Sequence, residues 1–158
     1  MKQYTLFSDE YFMQIALEEA NKAYQNNEVP IGAILVIDNR IIARAYNQTE
    51  TLQDTTAHAE ILAITTATNF LGSKYLQDAT LYVTVEPCIM CTGAIFWSKI
   101  SRLVYATNDE KIGYKKFENV LNKNNLSLQH PKLKVKSAVL QDEAQKLMRD
   151  FFDKRRKF

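Results

Sequence analysis

The chain is short of the residues that loosen or cross-link a fold. Its 158 residues include four glycines and three prolines, too few for long flexible linkers or disordered tracts. Two cysteines cannot make a disulfide framework, and a close pair in a reduced compartment points to metal or redox chemistry instead. No apolar run approaches the roughly 20 residues of a membrane span. Asp9 and Glu10 interrupt the N-terminal stretch where a secretory signal would need an apolar core. The expectation is a cytoplasmic protein with no membrane partner, folded as a single domain over residues 1–158.

What is present is ordinary for a globular chain: 46% hydrophobic and 24% charged residues. The net charge is only +2, but it divides into −6 over residues 1–110 and +8 over residues 111–158. Such asymmetry marks either a polyanion-binding face or lysines that merely solvate loops and a last helix.

Hydrophobic periodicity organises the chain. Ser8 or Asp9 can cap a first helix with apolar positions Phe12, Ile15, Ala16, Ala20 and Ala23, ending near Asn26–Asn27. Val29–Ile37 and Ile41–Tyr46 flank Asp38-Asn39 and read as a hairpin. A helix is expected over 57–70, a buried strand over Thr80–Val85, and a helix opened by Pro87 and running to Ser98. Leu103–Thr107 and Lys134–Leu140 read as strands, and residues 111–124 as a helix broken by Gly113. A last helix over 142–157 has Ala144, Leu147, Met148, Phe151 and Phe152 on its apolar stripe. Strands interleaved with helices predict an α/β fold, a three-layer α/β/α sandwich with a central mixed five-stranded sheet.

Two short segments carry the chemistry. Thr56-Ala57-His58-Ala59-Glu60 stands at one predicted helix start, and Val85-Glu86-Pro87-Cys88-Ile89-Met90-Cys91 at another, about thirty residues on. Residues three apart on a helix share a face, so both sulfurs can reach one ion, at a helix start that favours thiolate. His58, Cys88 and Cys91 would then hold one zinc per chain and leave a fourth position to water, as catalytic zinc sites do. Glu60, two residues from His58, could exchange a proton with that water, whose pKa zinc brings near neutrality. Either segment alone reads equally well as buried core, where free cysteine is common. Together they specify a metal site.

His-x-Glu followed by Pro-Cys-x-x-Cys resembles the zinc-dependent cytidine/deoxycytidylate deaminase superfamily. Beyond that signature the chain is similar to the bacterial tRNA-specific adenosine deaminases from Tyr11 to Arg156, through Glu28-Val29-Pro30-Ile31-Gly32-Ala33, Tyr46-Asn47, residues 79–84 and Asp150-Phe151-Phe152 with Arg155-Arg156. The resemblance implies a tRNA anticodon stem-loop as partner and deamination of its wobble adenosine to inosine. It also implies that Asn47 hydrogen-bonds the target base and that Val29, Ile31 and the backbone of 85–87 wall the pocket. By the same likeness Asp109 contacts a flanking nucleotide, and Phe152, Arg155 and Arg156 belong to the helix that closes over the loop. A homodimer is implied as well, with Ile95-Phe96-Trp97 as part of the contact. The run Ile112-Gly113-Tyr114-Lys115-Lys116-Phe117 departs from the family: Gly113 is kept, while bulky and basic residues replace small ones. The same zinc site serves deaminases of free guanine, cytosine or nucleosides, and the basic C-terminal third is what favours RNA over them. A non-catalytic zinc module would have no use for Glu60.

Overall fold

The computed structural model describes residues 2–157; Met1 and Phe158, the ends of the expected domain, lie outside the described residues. Five strands, β1 (Gly32–Ile37), β2 (Arg40–Tyr46), β3 (Thr80–Val85), β4 (Arg102–Thr107) and β5 (Lys134–Lys136), form one sheet in the order β2-β1-β3-β4-β5. The β1 strand runs antiparallel to both neighbours, while β3, β4 and β5 are parallel, so the sheet is mixed as expected. The helices are α1 (Asp9–Gln25), α2 (Ala59–Leu71), α3 (Ile89–Ser98), α4 (Tyr114–Asn122) and α5 (Gln141–Arg156).

Alternating side chains sort the core into two layers. Ile34, Val36, Tyr82, Val104 and Ala106 pack beneath α1 and α5, against Phe12, Met13, Ala16 and Ala144. Ala33, Leu35, Leu81, Val83, Leu103 and Tyr105 face the other way, against Ala59, Ala63, Ala67, Ile95 and Tyr114. Both faces of the sheet are therefore covered, which is the three-layer arrangement. Small residues set the spacing: a Cβ at Gly32 would collide with the α1 backbone at Ala16 and Ala20. The Asp38-Asn39 turn adopts left-handed φ at both positions, 48° and 61°, as a two-residue hairpin requires.

Several boundaries differ from the periodicity. Residues 29–31 precede β1 rather than extend it. Pro30 has no N–H to offer a ladder, and the Ile31 N–H turns back to the Val29 carbonyl at 2.8 Å. The last strand stops at Lys136 because Ala138 and Leu140 take left-handed φ, which carries Val139 off the sheet and into the core under α1 and α5. The helix opens at Ile89 and not at Pro87, since Cys88 is extended. The α4 helix begins only after Gly113. Ile95 is buried in the core, so of the expected contact stretch Trp97 is the residue that faces outward, 77% exposed.

One ion cluster ties the first helix to three strands. Asp9, in the first turn of α1, accepts both Arg102 guanidinium nitrogens at 2.7 and 2.8 Å, the Lys136 ammonium at 2.7 Å and the Tyr82 hydroxyl at 2.9 Å. The Arg102 guanidinium, helped by Lys136 and Tyr82, outweighs burial and holds the Asp9 carboxyl well below the usual carboxylate range. A depressed carboxyl pKa stabilises the folded state above about pH 4 and loses that contribution as acid titrates it. Asp9→Asn should therefore cost about 2 kcal/mol at pH 7, because Arg102 is left without its counter-charge. Chemical denaturation as a function of pH checks this: the gap to wild type should narrow progressively below about pH 4.

Candidate active site

The three expected ligands stand at two helix starts. His58 caps α2 in an extended conformation, and its imidazole makes no hydrogen bond to the helix. Cys88 caps α3 in the same way, with Cys91 in that helix's first turn. Freed from capping, the side chains meet: His58 Nδ1 lies 3.6 Å from Cys88 Sγ and 3.6 Å from Cys91 Sγ. All three donor atoms fall within 4.8 Å of one another, the one such group of three among the described residues. Zinc binds thiolate sulfur at about 2.3 Å and imidazole nitrogen at about 2.0–2.1 Å, which at a tetrahedral angle separates those donors by about 3.6 Å. The spacing fits zinc as it stands, and so does the softness of the donor set.

The electrostatics suit such a centre. Two helix N-termini turn their partial positive charge toward the sulfurs. The two thiols share one proton: a hydrogen bond from Cys91, together with His58, lowers the Cys88 thiol to about 4, while the same bond and burial push the Cys91 thiol up, so that a bound cation would have to displace the Cys91 proton. Glu60, the second residue of α2, is only 4% exposed. Burial pushes its carboxyl up to about 7, where one group can both accept and return a proton at neutral pH.

Through His58 the centre adjoins a cleft of about 850 Å³ at the carboxyl ends of β3 and β4; Cys88, Cys91 and Glu60 lie behind its lining. It is lined by His58 and Ala59 at the start of α2, by Val29, Ile31, Asn47 and Thr49 from the segments flanking β1 and β2, and by Val85, Thr107 and residues 108–112. The α5 helix supplies the remaining wall through Gln141, Gln145, Met148, Arg149, Phe152, Asp153 and Arg156. Glu28, fully buried, holds the loop beside Thr49 by accepting the N–H groups of Glu50 at 3.2 Å and Thr51 at 2.6 Å.

The structure thus brings most of the expected residues to one cleft. Asn47 is buried at its edge, with Nδ2 donating to the Val29 carbonyl at 3.4 Å. Asp109 lines the rim, but its Oδ1 is committed to the N–H groups of Lys111 and Ile112 at 2.9 and 3.1 Å. Phe152 lines the cleft and is 39% exposed, whereas its neighbour Phe151 is core. Arg156 lies at the cleft, 3.8 Å from Asp153. Arg155 does not: its Nη2 donates to the Asn27 carbonyl at 3.1 Å and its guanidinium covers the Phe151 ring at 4.7 Å. Sequence reasoning overlooked Gln141, Gln145 and Arg149, and placed Met148 in the core. A signal for the two glutamines exists, since Gln141 and Gln145 extend the helical series of Met148 and Phe152 along the edge of the apolar stripe; Arg149 has none.

A five-stranded mixed sheet between helical layers, with a His-Cys-Cys group and a buried glutamate at its carboxyl edge, is the frame of a hydrolytic deaminase. The MafB19-like deaminase profile matches residues 7–156, and the chain belongs to that family. Its relatives include the tRNA-specific adenosine deaminases of Bacillus subtilis, 44% identical over 94% of this chain and 91% of that one, and of Agrobacterium fabrum, 43% identical over 92% and 95%. A solved structure from work on A-to-I editing by tRNA:A34 deaminases at the wobble position superposes with a TM-score of 0.79 at 42% identity, covering 87% of this chain and 98% of that one. The guanine deaminase of Nitrosomonas europaea shares the fold at a TM-score of 0.78 but only 25% identity, over 95% and 87%.

Replacing Cys88 or Cys91 by Ser should strip the metal and lower the melting temperature, because a missing ligand forfeits binding energy that also supports the fold. Metal analysis of the purified variants reads this directly. Full zinc retention in both would remove these residues from the centre.

Proposed function

We propose that this chain hydrolyses adenosine to inosine and ammonia at the wobble position of a tRNA anticodon loop. The observation that carries the reading is the His58-Cys88-Cys91 group with buried Glu60, beside a cleft that His58 lines together with Arg149 and Arg156. An unpaired loop base is inexpensive to splay out, and a cleft running along α5 has room for more than the base itself. A second reading as a deaminase of free guanine or cytosine is not favoured, since the relatives above 40% identity are tRNA-specific enzymes.

In this proposal His58, Cys88 and Cys91 hold one zinc per chain, which supplies an acidified water as nucleophile when bound. Glu60 would carry two protons in turn: one from the attacking water to the purine ring nitrogen, where the product keeps it, and one from the newly added hydroxyl to the amine, which departs as ammonia. Asn47 offers its amide to the base, and Val29 and Ile31 exclude water from the base's faces. Asp109, Phe152 and Arg156 meet the flanking nucleotides and phosphates. Arg155 acts at one remove, by fixing the end of α5.

No helix among the described residues is long and apolar enough to cross a membrane. A tRNA substrate implies work in the cytoplasm. The proposed homodimer would cover Trp97 of α3, an indole that is costly to leave in water.

Glu60→Gln should keep zinc and fold while lowering turnover about a hundred- to ten-thousand-fold, because the amide cannot carry the proton. Ammonia release from an anticodon stem-loop with adenosine at the wobble position, assayed beside free guanine and cytosine, tests enzyme and substrate together. Efficient release from the free bases with the stem-loop untouched would overturn the reading. Reversing Arg149 and Arg156 to Glu should weaken stem-loop binding and flatten its salt dependence, by about 0.7 in log–log slope for each phosphate no longer neutralised. Arg155→Glu should instead lower thermal stability, because that side chain anchors the end of α5 to Asn27 and Phe151.

A further inference from the structure

Glu86 is a buried carboxylate that the chemistry above does not use. It lies between the end of β3 and Cys88, is 4% exposed, and has no cationic side chain bonded to it among the described residues. Its two oxygens face one segment of chain. Oε2 accepts the Asp109 N–H at 2.9 Å, and Oε1 accepts the Lys115 N–H at 3.4 Å. The backbone around it grips the same segment: the Glu86 N–H donates to the Thr107 carbonyl at 2.8 Å, and the Tyr114 N–H donates to the Pro87 carbonyl at 3.0 Å. A lone bridge joins Cys88 to Gly113.

Gly113 reports how tightly the segment closes. Its φ of −59° is open to any residue, so backbone conformation does not demand glycine here. Space does: a Cβ would collide with the Glu86 carboxylate and stand 2.6 Å from the Asp109 carbonyl oxygen. This accounts for one small residue surviving among the bulky neighbours Ile112 and Tyr114.

The outer side of that segment, residues 108–112, is a wall of the cleft. Its other hydrogen bonds are mostly internal, from the N–H groups of Lys111 and Ile112 to Asp109 Oδ1 and from the Gly113 N–H to the Asp109 carbonyl at 3.2 Å. They shape the loop but do not place it. We propose that Glu86 is a positioning residue that sets this wall at its distance from the substrate, an inference that rests on the cleft being the substrate site. A charged acceptor suits the task, because it bonds backbone N–H groups about twice as strongly as a neutral one. Burying that charge without a counter-ion is costly, and a loop needing only a neutral staple would not require it.

Glu86→Gln tests the proposal, since the amide has one acceptor oxygen and must abandon one of the two N–H groups. In the zinc-loaded protein, KM for the wobble-adenosine stem-loop should rise about ten-fold while kcat changes less than about two-fold. Amide exchange at Asp109 or Lys115, read by NMR, should quicken by at least about ten-fold. Gly113→Ala displaces the same carboxylate from the other side without removing any hydrogen-bonding group. It should reproduce the KM effect and combine with Glu86→Gln to clearly less than the sum of the two in the double variant, the remainder coming from the contact with the Asp109 carbonyl. It also carries the test alone should the glutamine variant fail to fold. Effects that add in full, an unchanged KM with both amides still protected, or a fall in kcat with zinc loss would each overturn the positioning role. A wild-type protein inactive on the stem-loop would sink the functional reading, while the exchange data would still decide whether Glu86 holds the wall.

Discussion

Everything at the site depends on bringing two sulfurs and one imidazole nitrogen within a few ångströms of each other, beside a buried carboxylate. Ionised groups so close and so dry are unfavourable to assemble. The fold offsets that cost by delivering them on helix N-termini, where uncommitted backbone N–H groups favour negative charge. His58 comes from the start of α2 and the cysteines from the start of α3, and both helices pack on the same face of the sheet. The register of β1 against β3 then decides whether the two starts meet. Alternation at Ala33, Leu35, Leu81 and Val83 locks that register, because a slip of one residue would turn every side chain to the wrong layer.

The sheet and its two helical layers were legible in the sequence because strands buried on both faces and helices with an apolar stripe leave strong periodic signals. The meeting of His58, Cys88 and Cys91 was legible too, since scarce residue types in fixed spacing leave few alternatives. What was not legible lay where tertiary contacts override local pattern. Val29 and Ile31 look like strand residues, yet Pro30 breaks the ladder and turns them toward the cleft. Val139 looks like a strand residue and is buried, but in a layer reached through two left-handed turns that no periodicity shows. Phe151 and Phe152 are adjacent and chemically alike, and only the packing of α5 sends one to the core and the other to the cleft.

The cleft separates chemistry from recognition. Its lining at His58 and Ala59 belongs to a regular helix and cannot move without dismantling the core. Its sides are loops, each fastened by a buried glutamate that accepts two backbone N–H groups: Glu28 for the loop at 50–51 and Glu86 for the loop at 109–115. Such an arrangement lets loop side chains change while the backbone that carries them stays in place. The unusual residues at 112–117 are held through their backbone, Gly113 by the bridge to Cys88, Tyr114 by the Pro87 carbonyl and Lys115 by Glu86, so side chains such as those of Ile112 and Lys116 can differ while the backbone stays in place.

The charge asymmetry of the chain overstates its nucleic-acid face. Part of the positive charge from residue 111 onward, four of thirteen basic side chains, is engaged within the fold. Lys136 serves the Asp9 cluster, Lys115 lies over the Tyr105 ring, Lys146 pairs with Asp150, and Arg155 is bound to Asn27 and Phe151. The cations that line the cleft are Lys111, from the loop before α4, and Arg149 and Arg156, two turns apart on α5. Three charges lining a cleft can orient a short, bent stretch of backbone, whereas a long duplex would need a continuous track. Under the proposed function, an anticodon loop would therefore be held by fewer phosphate contacts than the net charge alone would suggest.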